Sequence, residues 1–181
     1  FATVQIGIRA QIQHLKAYAS TAALNNACVD PRFSLVSRGS ATTVEALGGK
    51  WATDLNYGSK IVTIMDSFLN ASTMLSSEPM TMVLSPEEET LPQEENAIET
   101  PGLDEPEVSN PPVEEDNTPE IMSGVNPSVT KEQAVQYLRE LDVENLYGIS
   151  AEEFVSIYWT EAEIEGVDFG IAFAQALKET G

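Results

Sequence analysis

From residue 71 to residue 124 the chain carries fourteen acidic residues and not one lysine or arginine. Eight of the ten prolines fall in the same stretch, which contains no aromatic residue. A segment of this kind has too little apolar surface to offset the entropy of ordering it, and its like charges repel. Residues 71–124 are therefore expected to form an extended, disordered acidic linker, with an acidic motif for a basic partner as the alternative. Whatever folds must be assembled from the two flanking segments, residues 1–70 and 125–181.

The formal charge of −20 is concentrated in that linker. Residues 1–70 carry six basic against four acidic residues, and residues 125–181 carry three against eleven. Neither segment has a basic stripe, so nucleic acid and anionic membrane surfaces are not expected partners. No apolar run approaches the roughly 20 residues of a membrane span. The first residue is Phe1 rather than methionine, so the sequence reads as a processed chain or a fragment, and the lack of a signal peptide does not argue against secretion. The lone Cys28 excludes an intramolecular disulfide framework and reads as a half-buried small residue.

Both flanking segments carry helical patterns. In "IGIRAQIQHLKAYASTAAL" the residues Ile8, Ile12, Leu15 and Ala19 mark one face of an amphipathic helix. Pro31 and Gly39 make a loop of "NNACVDPRFSLVSRGSA", and "TTVEALGGKWATD" offers a short helix stopped by Gly48 and Gly49. A further helix turns Ile61, Ile64, Met65 and Phe68 inward. In the C-terminal segment Thr130 with Gln133, and Ser150 with Glu153, have the spacing of capping boxes that start two helices. Gly166 stops the second of these, and Asp168 caps a third, "FGIAFAQALKE", which is apolar almost all the way round. The predicted fold class is mostly α, with no strand pattern. The 57 residues of this segment give their most apolar helix little to pack against. The two segments are expected to complete one core, within a chain or by exchange of halves between chains.

The single His14 leaves no basis for a histidine-based metal cluster or catalytic triad, and its place beside Leu15 favours a structural or solvent-facing role. No glycine-rich phosphate loop is present, so carboxylate chemistry is what remains. Glu161, Glu163 and Glu165 read as a solvated acidic face. Glu179 stands on a shelf of Ala172, Phe173, Gln175 and Ala176, where desolvation would raise its pKa as suits a general acid.

"EAEIEGVDFGIAFAQALKETG" resembles the catalytic-glutamate region of the bacterial glucosaminidases that cut peptidoglycan, the mannosyl-glycoprotein endo-β-N-acetylglucosaminidase-like family. "GIRAQIQHLKAYAS", "VDPRF", "RGSA" and "GGKWATDLNYGSKI" are similar to the second half of the same family. The resemblance implies a lysozyme-like α-lobe built from two helical segments in permuted order. Residues 1–70 would be the second half and 125–181 the first, with the family's glycine-rich β-region, which follows the Glu-Thr-Gly helix, missing. It further implies that Glu179 is the catalytic acid, protonating the glycosidic oxygen between N-acetylglucosamine and the next sugar. Trp51 opens a motif that in relatives often begins with tyrosine. Trp51 or Tyr57 would stack on a sugar ring unless both are core aromatics, and of the two only Tyr57 can also donate an O–H. Gln175 and Tyr18 would line the cleft or else pack.

A second carboxylate, where the family has one, would lie in the missing region, and a carboxylate at Gly181 would act on Glu179 two residues away. No cofactor or metal is implied. The expected partner is peptidoglycan or another N-acetylglucosamine-containing glycan, and the expected location is secreted and wall-associated. The alternative is a non-catalytic glycan-binding or structural fragment of a wall protein.

Overall fold

Thr3 opens the first helix by accepting the Ile6 N–H on its hydroxyl, which satisfies a donor that the first turn leaves open. Helix α1 (Val4–Ala19) then buries Ile8, Ile12, Leu15 and Ala19 along one face, as the spacing predicts. After a loop, residues Phe33–Leu35 and Glu45–Leu47 form single 3₁₀ turns, the second in place of the short helix expected there. Gly48 ends that turn and Gly49 adopts φ +74°, a conformation that costs glycine little. Helix α2 (Tyr57–Thr73) buries Ile61, Met65 and Phe68, whereas Ile64 is only half-buried.

The computed structural model describes residues 1–73, 119–124 and 128–180, without the side chains of residues 72 and 73. Residues 74–118 of the expected linker lie outside them, as does the expectation about Gly181; its ends are corrected, since residues 71–73 continue α2 and Ile121 in 119–124 is fully buried. Helix α3 (Lys131–Glu140) starts on a complete capping box of Thr130 and Gln133. A two-residue hairpin follows, β1 (Asn145–Leu146) against β2 (Ile149–Ser150), with Leu146 opposite Ile149. Its turn places Tyr147 at φ +52° and Gly148 at φ +84°. Positive φ at both central residues belongs to the tight hairpin turn that matches strand twist. Ser150 caps helix α4 (Ala151–Glu165), and Gly166 ends it at φ +70°. Helix α5 (Phe169–Thr180) begins on Asp168, whose Oδ1 accepts the Ile171 N–H at 2.9 Å, and it buries every residue from Phe169 to Ala176.

The protein is mostly helical. α1 packs on α4, and α2 on both α3 and α5, so every large interface of the N-terminal segment is with the C-terminal one. Phe68 of α2 meets Tyr137 of α3 at 4.9 Å and Phe173 of α5 at 5.6 Å between ring centroids. Residues 119–124 join the segments again, since Val44 donates to the Pro119 carbonyl, Ile121 donates to that of Thr42, and Asp168 donates to that of Ile121. All described residues belong to one compact unit.

Three sequence readings are corrected here. Glu161 and Glu165 are not on a solvated face but are buried, at 0% and 1% exposure; Glu163 is exposed. They accept from partners on α1 and its following loop, over 130 residues away in sequence. Cys28 is exposed rather than half-buried. A short hairpin exists where no strand was predicted. No helix among the described residues is long and apolar enough to cross a membrane.

Candidate functional site

The end of α5 and the start of α2 meet at one hydrogen bond. Tyr57 donates its hydroxyl proton to Glu179 Oε1 at 2.6 Å. The tyrosine is delivered by a local construction. Asp54 accepts the Asn56 N–H on Oδ1 and the Tyr57 N–H on its carbonyl, and it holds Lys60 on Oδ2. Gly58 then lets α2 lie directly against the 3₁₀ turn, where a Cβ would stand 2.4 Å from the Glu45 Cα and the Val44 carbonyl oxygen. Tyr57 is consequently buried to 3% exposure with its hydroxyl at the site.

Burial above all, then the bond to Glu179, pushes the Tyr57 hydroxyl well above the usual tyrosine range, against a smaller downward effect of Gln175. Tyr57 is thus a fixed proton donor and not a base. Glu179 itself is exposed, so the desolvated shelf expected from the sequence is not its setting. The apolar turns beneath it are buried, but its carboxylate reaches beyond them.

Gln175 is fully buried one turn back from Glu179. Its Oε1 accepts from Gln11 Nε2 at 2.9 Å. The orientation of the Gln11 amide is fixed because Nε2 also donates to the Ala172 carbonyl at 3.1 Å and Oε1 accepts the Tyr158 hydroxyl at 2.5 Å. With Oε1 engaged, Gln175 turns Nε2 toward Tyr57; that nitrogen is buried and has no hydrogen-bond partner among the described residues. Donors therefore run from Tyr158 to Gln11 and from Gln11 to Gln175, and separately from Tyr57 to Glu179.

Trp51 and Tyr18 lie in a different part of the site. With His14 they form an aromatic cluster, His14 to Trp51 at 4.9 Å, His14 to Tyr18 at 5.5 Å and Tyr18 to Trp51 at 5.6 Å. His14 Nδ1 pairs with Asp30 Oδ2 at 2.7 Å, and the Tyr18 hydroxyl donates to the Lys50 carbonyl at 3.2 Å. Both Trp51 and Tyr18 are half-buried and line a cavity of about 440 Å³ together with His14, Arg32 and Glu179.

On the other side of Glu179 lies a second cavity of about 450 Å³, walled by Val4, Ile8, Phe154, Tyr158 and Ala176. A smaller space of about 140 Å³ shares Phe1, Gly7 and Gln11 with this cavity and His14, Arg32 and Trp51 with the first. The three adjoin along α1 as a trough, and Glu179 borders both main cavities, each of the size that accepts small ligands.

Of the site residues expected from the sequence, the structure brings Glu179, Tyr57 and Gln175 together and sets Trp51 and Tyr18 on one flank. Gln11, Arg32, Tyr147 and Tyr158 were not anticipated. Gln11 had one weak signal, a polar residue bordering the apolar stripe of α1. Tyr147 had another, a Tyr-Gly pair between Leu146 and Ile149; it stands 67% exposed at the rim, its ring 5.9 Å from that of Phe154.

No family model matches the chain, and no solved structure matches it. It is 52% identical over 65 residues to an uncharacterized protein of Borreliella burgdorferi, a match that covers 36% of this chain and 32% of that protein. The chain thus spans about a third of the length of the relative it matches.

Proposed function

We propose that the chain is a glycoside hydrolase that cleaves N-acetylglucosaminyl bonds of bacterial cell-wall peptidoglycan, with Glu179 as general acid on a lysozyme-like α-lobe in permuted order. The observation that carries this reading is the 2.6 Å bond from the Tyr57 hydroxyl to Oε1 of Glu179, a residue that borders both main cavities of the trough. That bond occupies one carboxyl oxygen and leaves Oε2 to carry the proton toward a sugar oxygen. Trp51 and Tyr147 supply aromatic faces for sugar rings on the two flanks. The protein would then work outside the cell, on the wall.

The test is clearing of purified cell walls by the 181-residue chain, with Glu179→Gln as control. Loss of the acid should lower the rate by a factor of about 100 or more. Equal clearing by both proteins would remove Glu179 from the chemistry.

One observation favours a second reading, a glycan-binding module without catalysis. Among the described residues lining the trough, the other carboxylate besides Glu179 is Asp30, which is buried and paired with His14. Two-carboxylate hydrolysis needs a second free group, unless the substrate's own acetamido oxygen takes its place. Binding of wall fragments with no release of reducing ends would favour this reading.

A further inference from the structure

Of the six lysine and arginine side chains in residues 1–70, five are committed. Arg9 and Lys16 pair with Glu161 and Glu165, and Lys60 pairs with Asp54. Arg38 donates to the carbonyls of Ser20 and Ala22, and Lys50 to that of Ser40. The guanidinium of Arg32 has no hydrogen-bond or ion-pair partner among the described residues. Its neighbour Asp30 is engaged elsewhere, holding His14 on Oδ2 and the Arg32 backbone N–H on Oδ1. Arg32 is exposed, and it lines both the cavity of about 440 Å³ and the smaller space beside it.

The opposite arm of the trough differs in kind. Among the described residues no lysine, arginine or histidine side chain lines the cavity on the Phe154 side, whose walls are mostly aliphatic and aromatic, with Thr3, Gln11, Glu179 and Thr180 as polar members. An unpaired guanidinium at one end of a binding trough, and none at the other, gives the trough a chemical direction. Its planar fork of donors matches a carboxylate with two parallel hydrogen bonds.

We propose that Arg32 makes the Trp51 arm a subsite for a sugar that carries a carboxylate, while the Phe154 arm takes an uncharged sugar. This rests on the reading of the trough as a glycan site and adds to it which sugar lies on which side of Glu179. The carboxylate has two sources, an acid ether-linked to the sugar itself or an acidic peptide hung from that ether. The chemistry that Arg32 recognises is the same in both.

The experiment is calorimetric titration of the Glu179→Gln chain, which leaves ligands intact, with three probes at low salt. They are a disaccharide of N-acetylglucosamine and N-acetylmuramic acid with its carboxyl free, the same disaccharide bearing a tetrapeptide, and neutral di-N-acetylchitobiose. At least one acidic probe should bind about tenfold more tightly than the neutral one, the value of one well-formed charged pair. Which acidic probe gains identifies the source of the carboxylate. Adding Arg32→Ala should bring that ratio close to one, and Arg32→Lys should restore part of it. Equal affinities with Arg32 intact, or a ratio that survives Arg32→Ala, would overturn the proposal. If none of the three binds, the glycan reading falls with it. If the ratio holds while intact walls are not cut, catalysis alone is wrong.

Discussion

Tyr57 combines two roles that usually conflict, since its ring is core and its hydroxyl is site. The two can be separated by substitution. Tyr57→Phe keeps the buried ring and removes the donor to Glu179, so wall-clearing activity should fall about tenfold or more while the melting temperature stays nearly unchanged. Tyr57→Ala should instead destabilise the protein by about 3–5 kcal/mol, as loss of a packed ring does. A Phe variant as active as the parent would show that the hydroxyl bond is incidental. At this scale sequence reasoning reached the residues that carry a motif, Glu179 and Tyr57 among them, and stopped at those that do not. Gln11 has no motif; its role comes from meeting Tyr158, Ala172 and Gln175 across the fold. Glu161 and Glu165 were misread for a related reason. Local pattern sees an acidic stretch, whereas the partners that permit burial, Arg9 and Lys16, lie about 150 residues away in the chain.

Those two glutamates make the α1–α4 interface the electrostatic seam of the protein. Arg9 grips Glu161 through Nε and Nη2, both at 2.8 Å, and Gln5 adds a third bond. The Arg9 pair holds the Glu161 carboxyl below the usual range against the opposing effect of burial. At Glu165 burial alone would raise the carboxyl, but the Asn25 N–H, Lys16 and the Asn26 N–H together outweigh it and leave it lowered. A carboxylate with a depressed folded-state pKa stabilises the fold above its unfolded pKa and ceases to as pH falls through the folded value. Stability should therefore be level near neutrality and decline below about pH 4.5, where an unpaired glutamate begins to protonate. Chemical denaturation across pH 2 to 7 measures this, and Glu161→Gln should flatten the acid decline. Glu165→Ala should cost about 3 kcal/mol or more, because it strands Lys16 in the interior. Replacing both by Lys16→Met and Glu165→Leu should cost clearly less; a double variant as unstable as the single one would contradict that account. Elements with start and stop chemistry were legible from sequence, as the Thr130 box, the Asp168 cap and the Gly166 stop demonstrate. The hairpin was not, because its turn uses Tyr147 where Asn or Asp would be the usual signal.

At the scale of the whole molecule, one core is shared by two segments that the sequence holds far apart. Ile12, Leu15 and Phe68 from the first segment and Phe169, Ile171 and Phe173 from the second are all buried in it. The buried residues of both segments form a single cluster, so a chain cut at a protease site engineered near residue 97 should remain a one-to-one complex in size-exclusion chromatography with light scattering. Separation of the halves without denaturant would show that the shared core is weaker than its packing implies. The same shared core brings Glu179 of one segment to Tyr57 of the other, and it aligns the trough walls on α1, α4 and α5. The proposed function has this junction cutting N-acetylglucosaminyl bonds through Glu179. Its most direct measurement is digestion of purified peptidoglycan, borohydride reduction of the products and identification of the reduced sugar. N-acetylglucosaminitol should appear with the parent chain and not with Glu179→Gln. No new reduced sugar with the parent, or the same yield from both proteins, would contradict it.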